Sequence, residues 1–157
     1  MSERVYSFDK AAMDKLSKAL SYDPYLDKNL LPDMPKEFED KNYIEQHPEA
    51  KEQYEAMQKR IEDAKDRLKN DKSLNVIFAR QEYSLREGAS LGLDPNKCYL
   101  YLKANDEFLK NAEDRLKGEY ESFAKADDET SQKVIKAIHD EEDRANAGFG
   151  SIFGYCG

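Results

Sequence analysis

Between Ala50 and Leu68 the side chains Ala50, Tyr54, Met57, Ile61, Ala64 and Leu68 recur at steps of 4, 3, 4, 3 and 4. An α-helix gathers residues at this spacing onto one side, and a stripe held this long must be covered by something. Pro48, just ahead, suits a first helical turn, where its missing N–H is not needed. Glu55/Lys59 and Asp63/Arg67 place an acid four residues before a base, the order that supports an exposed helical face. The seam returns 48 residues later as Cys98, Leu102, Asn105, Leu109, Ala112 and Leu116. Part of the surface text returns with it, AKDRLK at 64–69 and AEDRLK at 112–117. Whether by duplication or by two helices solving one packing problem, the matched seams predict helices that pack together in a coiled-coil-like core.

The remaining segments are read around those two. A first helix is expected from Phe8 to Ser21, with Phe8, Ala12, Leu16 and Leu20 on one face, stopped by Asp23-Pro24. A third is expected from Ser73, carrying Leu74, Ile77, Phe78, Gln81 and Leu85, and ended by Gly88 and Gly92. Asp94-Pro95 opens the fourth, which runs past Gly118 toward Ala126 through Tyr120 and Phe123. Its start is open: CYLYL is apolar all round, so residues 97–103 are either helix or a short buried strand. A fifth helix begins at DDETS (127–131), carries Val134, Ile135 and Ile138, and stops at Gly148. Residues 22–42 hold Pro24, Pro32 and Pro35 among Leu26, Leu30, Leu31, Met34 and Phe38. Such a stretch cannot be one helix and is too apolar for a free linker, so an extended strap across the bundle is expected. The predicted fold is all-α: one helical domain over residues 1–157, an antiparallel bundle of four main helices plus the N-terminal one and the strap.

Charge narrows the function. The net charge of −8 argues against direct nucleic-acid binding, which needs a basic footprint. The first twenty residues lack the apolar core of a secretory signal, and no run approaches the ~18 apolar residues of a membrane span. Two cysteines are too few for a disulfide framework. A cytoplasmic protein without membrane contact is expected.

Chemistry is sparse. The closing GFGSIFGYCG (148–157) contains G-x-G-x-x-x-G, close to a dinucleotide fingerprint, but a helical pattern precedes it and only three residues follow Gly154. The tail is expected to fold back on the bundle through Phe149, Ile152, Phe153 and Tyr155; docking into a partner, or fraying, is the alternative. His139 and Glu142 share a helical face, yet a di-iron bundle needs four inward carboxylates, so a helical metalloprotein is the more distant reading. His47 reads as a surface or capping residue, Cys98 as a small core hydrophobe, and Cys156 has no evident base. No phosphate loop or nucleophile elbow is present. The chain is therefore expected not to be an enzyme, with no catalytic residue, metal or cofactor. Asn105, polar within a seam, either fixes register or oligomeric state or faces water.

Seven acids, Asp127, Asp128, Glu129, Asp140, Glu141, Glu142 and Asp143, stand against Lys133 and Lys136 between 127 and 143. Residues 33–49 add Asp33, Glu37, Glu39, Asp40, Glu45 and Glu49 against two lysines. This is either a solvated face or an acidic patch that engages a basic surface. Tyr22, Tyr25 and Tyr43 lie in or beside the acidic strap, as core edge or as recognition side chains. The leading expectation is a non-enzymatic interaction protein (adaptor, inhibitor or assembly subunit) whose partner is a protein with a basic surface, a homo-oligomer being the alternative. The second is an acidic decoy that imitates nucleic-acid phosphates, against which the lysines interleaved on the second and fourth expected helices weigh.

Overall fold

The computed structural model describes residues 1–154, side chains included except those of Ser73 and 148–154. It forms two compact units, Met1–Ser21 with Phe78–Gly157, and Tyr22–Ile77. The helices in chain order are α1 (Met13–Ser21), α2 (Lys41–Gln46) and α3 (Ala50–Asn70) of the second unit, α4 (Asp106–Glu119) and α5 (Asp128–Gly154). The first unit also contains a sheet, which overturns the all-α bundle. Its strands β1 (Ser2–Asp9), β2 (Glu82–Glu87), β3 (Lys97–Ala104) and β4 (Ala124–Lys125) lie in the order β2-β3-β1-β4, each antiparallel to its neighbours. Apart from α5, the run is β-α-β-β-α-β. Both α1 and α4 connect strands that have a third between them, which is the split β-α-β arrangement.

The corrections share a cause. Phe8, expected on a helix with Leu16 and Leu20, belongs to β1, where Val5, Tyr6, Ser7 and Phe8 are all buried. Consecutive burial of β-branched and aromatic residues marks a strand covered on both faces. CYLYL is β3, paired with β1 from Ser2↔Ala104 to Asp9↔Lys97. Alternation sends Tyr99 and Tyr101 to one face and Cys98, Leu100 and Leu102 to the other, and all five are buried. The second seam therefore dissolves, together with the coiled-coil pairing. Only Leu109, Ala112 and Leu116 remain on a helix, buried on α4. Asn105 is the N-cap of α4, its side chain accepting from the Phe108 N–H at 2.7 Å. Helix α4 ends at Glu119 instead of running to Ala126, and the expected third helix is two 3-10 turns, Lys72–Leu74 and Phe78–Arg80, followed by β2.

Each sheet face has its own cover. Val5, Tyr99 and Tyr101 pack with Val134 and Ile138 of α5, with Leu91, Leu93, Ala126 and Ile135 at the margin. On the other face Tyr6 donates to Glu113 Oε1 of α4 at 2.8 Å, and Phe8 meets Tyr120 edge-on at 5.4 Å. The backbone of α5 continues through Gly148 to Gly154, since a glycine inside a helix weakens it by only about 1 kcal/mol. The expected fold-back of the tail falls on Tyr155 and on the side chains of Phe149, Ile152 and Phe153, outside the described residues.

In the second unit the first seam is a helix as expected, with Ala50, Ala64 and Leu68 of α3 buried. The strap is not simply extended: it folds into 3-10 turns at Pro24–Leu26 and Lys36–Glu39. Phe38 anchors it, with Tyr43 and the edge-on ring of Tyr54 each at 6.1 Å. Among the described residues no helix is long and apolar enough to cross a membrane.

Candidate functional site

The start of the second unit is held by one carboxylate. Asp27 accepts from the Tyr22 hydroxyl through Oδ2 at 2.8 Å and from the Asn29 N–H through Oδ1 at 2.9 Å. Its backbone carbonyl takes the N–H groups of Leu30 and Leu31 at 3.0 and 2.8 Å. Asp23 caps the preceding 3-10 turn by accepting from the Tyr25 N–H at 2.9 Å. These turns hold apolar side chains in water: Tyr22 is 45 % exposed, Leu26 79 % and Leu30 44 %. Met1 apart, these are the large apolar side chains left exposed among the described residues, and all fall within nine positions. The hydrogen bond to Asp27 raises the Tyr22 phenol above its ordinary pKa, so it remains a donor.

Leu30 also lines a groove of about 380 Å³ with Pro32 of the strap, Arg60, Ala64, Arg67 and Leu68 of α3, and Leu74 beyond it. Leu30 and Pro32 come from the apolar strap already noted in the sequence. Arg60 and Arg67 were not singled out as site residues; the available signal was two arginines seven apart, two turns of one helix, with a small residue between them. Among the described residues Asp63 and Arg67 make no ion pair, nor do Glu55 and Lys59, although all four lie on the exposed side of α3.

The seven acids at 127–143 divide into two groups, one at the start of α5 with Asp127 just before it and one a dozen residues on, about 18 Å along a helix. Asp127 accepts from the Thr130 N–H at 2.7 Å, and that bond lowers its pKa. Asp128 and Glu129 lie in the first turn, where the helix dipole favours acids, and Glu129 meets Lys133 at 3.5 Å. Asp140 takes Lys136 at 2.8 Å, which lowers its pKa, and Glu141 takes Arg86 of β2 at 3.1 Å. Glu142 and Asp143 make no ion pair among the described residues, and both are exposed.

Three of the groups considered for catalysis or metal binding, His139, His47 and Cys98, are engaged within the fold. His139 bonds Glu3 Oε2 through Nε2 at 2.8 Å. His47 closes α2, its Nδ1 lying 3.0 Å from the Tyr43 carbonyl and its ring stacked on Tyr43 at 4.3 Å. Burial raises the Cys98 thiol, which lies 3.8 Å from the Asp9 carbonyl oxygen and stays protonated; Cys156 lies outside the described residues. No group of three or more His, Cys, Asp or Glu that could hold a metal ion occurs among the described residues. No family model, curated protein or solved structure matches the chain.

Proposed function

We propose that this chain is a protein-interaction module whose partner docks on the Tyr22–Ile77 unit. The observation that carries the reading is the placement of Tyr22, Leu26 and Leu30, exposed within nine residues and held there by the Asp27 turn. Leaving such side chains in water is unfavourable by about 25 cal/mol per Å² of apolar surface, and covering them is what a partner offers. The acidic tract supports a lesser role. Asp140 and Glu141 are already paired inside the protein, which leaves Glu142 and Asp143 to meet a basic surface. A decoy would need unbroken negative charge, and Lys133 and Lys136 interrupt it.

The test is affinity capture from the source cells followed by quantitative mass spectrometry. The unmodified chain is compared with Leu26→Asp and with the double variant Glu142→Gln, Asp143→Asn. A partner lost by the first and retained by the second supports the strap as the docking surface. An identical set of captured proteins with Leu26→Asp rejects it.

A further inference from the structure

The sequence holds seven arginines. Arg4 donates to the Glu3 carbonyl, Arg86 to Glu141, Arg115 to Glu119 and Arg144 to the Asp140 carbonyl, and Arg80 is also engaged. Arg60 and Arg67 alone make no hydrogen bond or ion pair among the described residues, and both line the groove of the second unit. This is unexpected in a chain with 33 acids against 25 bases, where a carboxylate partner for a surface arginine is easily found. Asp63 stands one turn before Arg67, and among the described residues the two make no ion pair.

We infer that the groove binds an acidic amphipathic helix of a partner protein, with Arg60 and Arg67 receiving its carboxylates. The inference rests on the reading of the second unit as the docking part. The two arginines are seven residues apart, about 10.5 Å along the axis of α3. Carboxylates seven apart on a second helix have the same rise and the same side. Same-face carboxylates on a strand fall about 6.6 or 13 Å apart and miss that spacing. Between the arginines the buried Ala64 lines the groove, and Leu30, Pro32, Leu68 and Leu74 complete an apolar lining. A space of about 380 Å³ takes inserted side chains, not a helix. A leucine three or four residues after the first acid would enter it. Arginine suits the role, since its planar fork meets a carboxylate through two parallel hydrogen bonds.

The experiment uses the full chain and a fluorescein-labelled helical peptide with Glu at two positions seven apart and Leu three and four residues after the first. Control peptides carry Gln or Lys in place of both Glu. Fluorescence anisotropy should show saturable binding of the Glu peptide, weakened about tenfold or more by the Gln control or by Arg60→Gln with Arg67→Gln. Arg60→Glu with Arg67→Glu should reverse the preference toward the Lys peptide. Neither arginine has a hydrogen-bond or ion-pair partner among the described residues, so the melting temperature should not change. Equal affinity for all three peptides, no saturation up to about 1 mM, or binding indifferent to the arginines overturns the inference. Sedimentation showing a dimer that the arginine variants dissolve would assign the groove to a second copy, and also overturns it. A captured partner that depends on Leu26 but not on Arg60 and Arg67 rejects the acidic helix while leaving the module reading in place.

Discussion

The Tyr101 hydroxyl donates to Glu3 Oε2 at 2.8 Å, joining two central strands of the sheet beneath α5. His139 of α5 reaches the same oxygen at 2.8 Å, so one carboxylate ties helix to sheet. Burial works to raise the Glu3 carboxyl, but the bonds from Tyr101 and His139 and the charges of His139 and Lys103 outweigh it, leaving it below its ordinary 4.5. A carboxyl lowered on folding contributes stability present above its unfolded pKa and lost as pH falls through the folded one. Exchange of the amides in residues 134–141, corrected for its intrinsic pH dependence, should therefore quicken below about pH 4.5. Glu3→Gln should remove that acid response. Unchanged protection in acid would show that the Glu3 bonds do not hold α5 to the sheet.

The alkaline limit has a different origin. Burial first, then the bond to Glu113, raises the Tyr6 phenol far above its ordinary 10.0; burial and the bond to Glu3 do the same for Tyr101. A group raised on folding contributes stability that is complete below its unfolded pKa and fades as pH climbs beyond it. Urea unfolding should weaken above pH 10, with the Tyr6 and Tyr101 phenols ionising only as the fold is lost. Tyr6→Phe should lower stability at pH 7 by about 1 kcal/mol and flatten the alkaline decline. An equally steep decline in that variant would remove Tyr6 as its source.

Packing separates the two sequence seams. Leu109 is 3 % exposed on α4, so Leu109→Ala should destabilise by about 2–5 kcal/mol in chemical denaturation. Ile61 on α3 is only half-buried, and Ile61→Ala should cost less than half as much. Equal losses would mean that Ile61 is covered as fully as Leu109.

Those seams also explain what could be read in advance. Ala50 through Leu68 alternates steps of three and four over nearly three heptads, and only a helix satisfies the odd steps. Cys98 to Leu102 and Gln81 to Leu85 are steps of four, which is even, so a strand keeps each pair on one side just as a helix does. The evidence for β3 was the unbroken apolar run CYLYL, and its meaning depends on cover over both faces. That cover comes from α4, next in the chain, and from α5, whose Val134 and Ile138 lie more than thirty residues away. The capping role of Asn105 was legible only once the strand before it was known to end at Ala104. The arginines of the groove carried only their spacing, seven apart on one helix, because what distinguishes them is a partner they lack among the described residues.

Tyr120, 5 % exposed, has a hydroxyl with no hydrogen-bond partner among the described residues. Its ring is fully used, edge-on to Phe8 and with the Lys15 ammonium 4.8 Å above its centre. Phenylalanine would keep both contacts and remove an oxygen whose unpaired burial is unfavourable by about 1–3 kcal/mol. Tyr120→Phe should be neutral or raise the melting temperature, opposite in sign to Tyr6→Phe. A clear loss of stability would point to an ordered water on that hydroxyl.

Two glycines make opposite demands. A Cβ at Gly88 would collide with the Asp94 backbone carbonyl and sit 3.0 Å from the Lys97 carbonyl oxygen. Neither atom can yield cheaply. The Gly88 carbonyl takes the Leu93 N–H at 2.8 Å, and Glu87 pairs with Cys98 beside it, so the turn sets the β2–β3 register. At Gly118, in the last turn of α4, an added Cβ meets nothing within 4 Å, and alanine would reduce the freedom of the unfolded chain without strain. Gly88→Ala should therefore destabilise by about 1–3 kcal/mol, as overpacking against fixed backbone does. Gly118→Ala should stabilise by up to about 1 kcal/mol. Cys98 supplies a local reading, since it is 0 % exposed and lies opposite Glu87. In a Cys156→Ser background, Gly88→Ala should hasten its alkylation while Gly118→Ala slows it. Equal thiol protection in both variants would mean that the turn absorbs the methyl group without loosening the sheet.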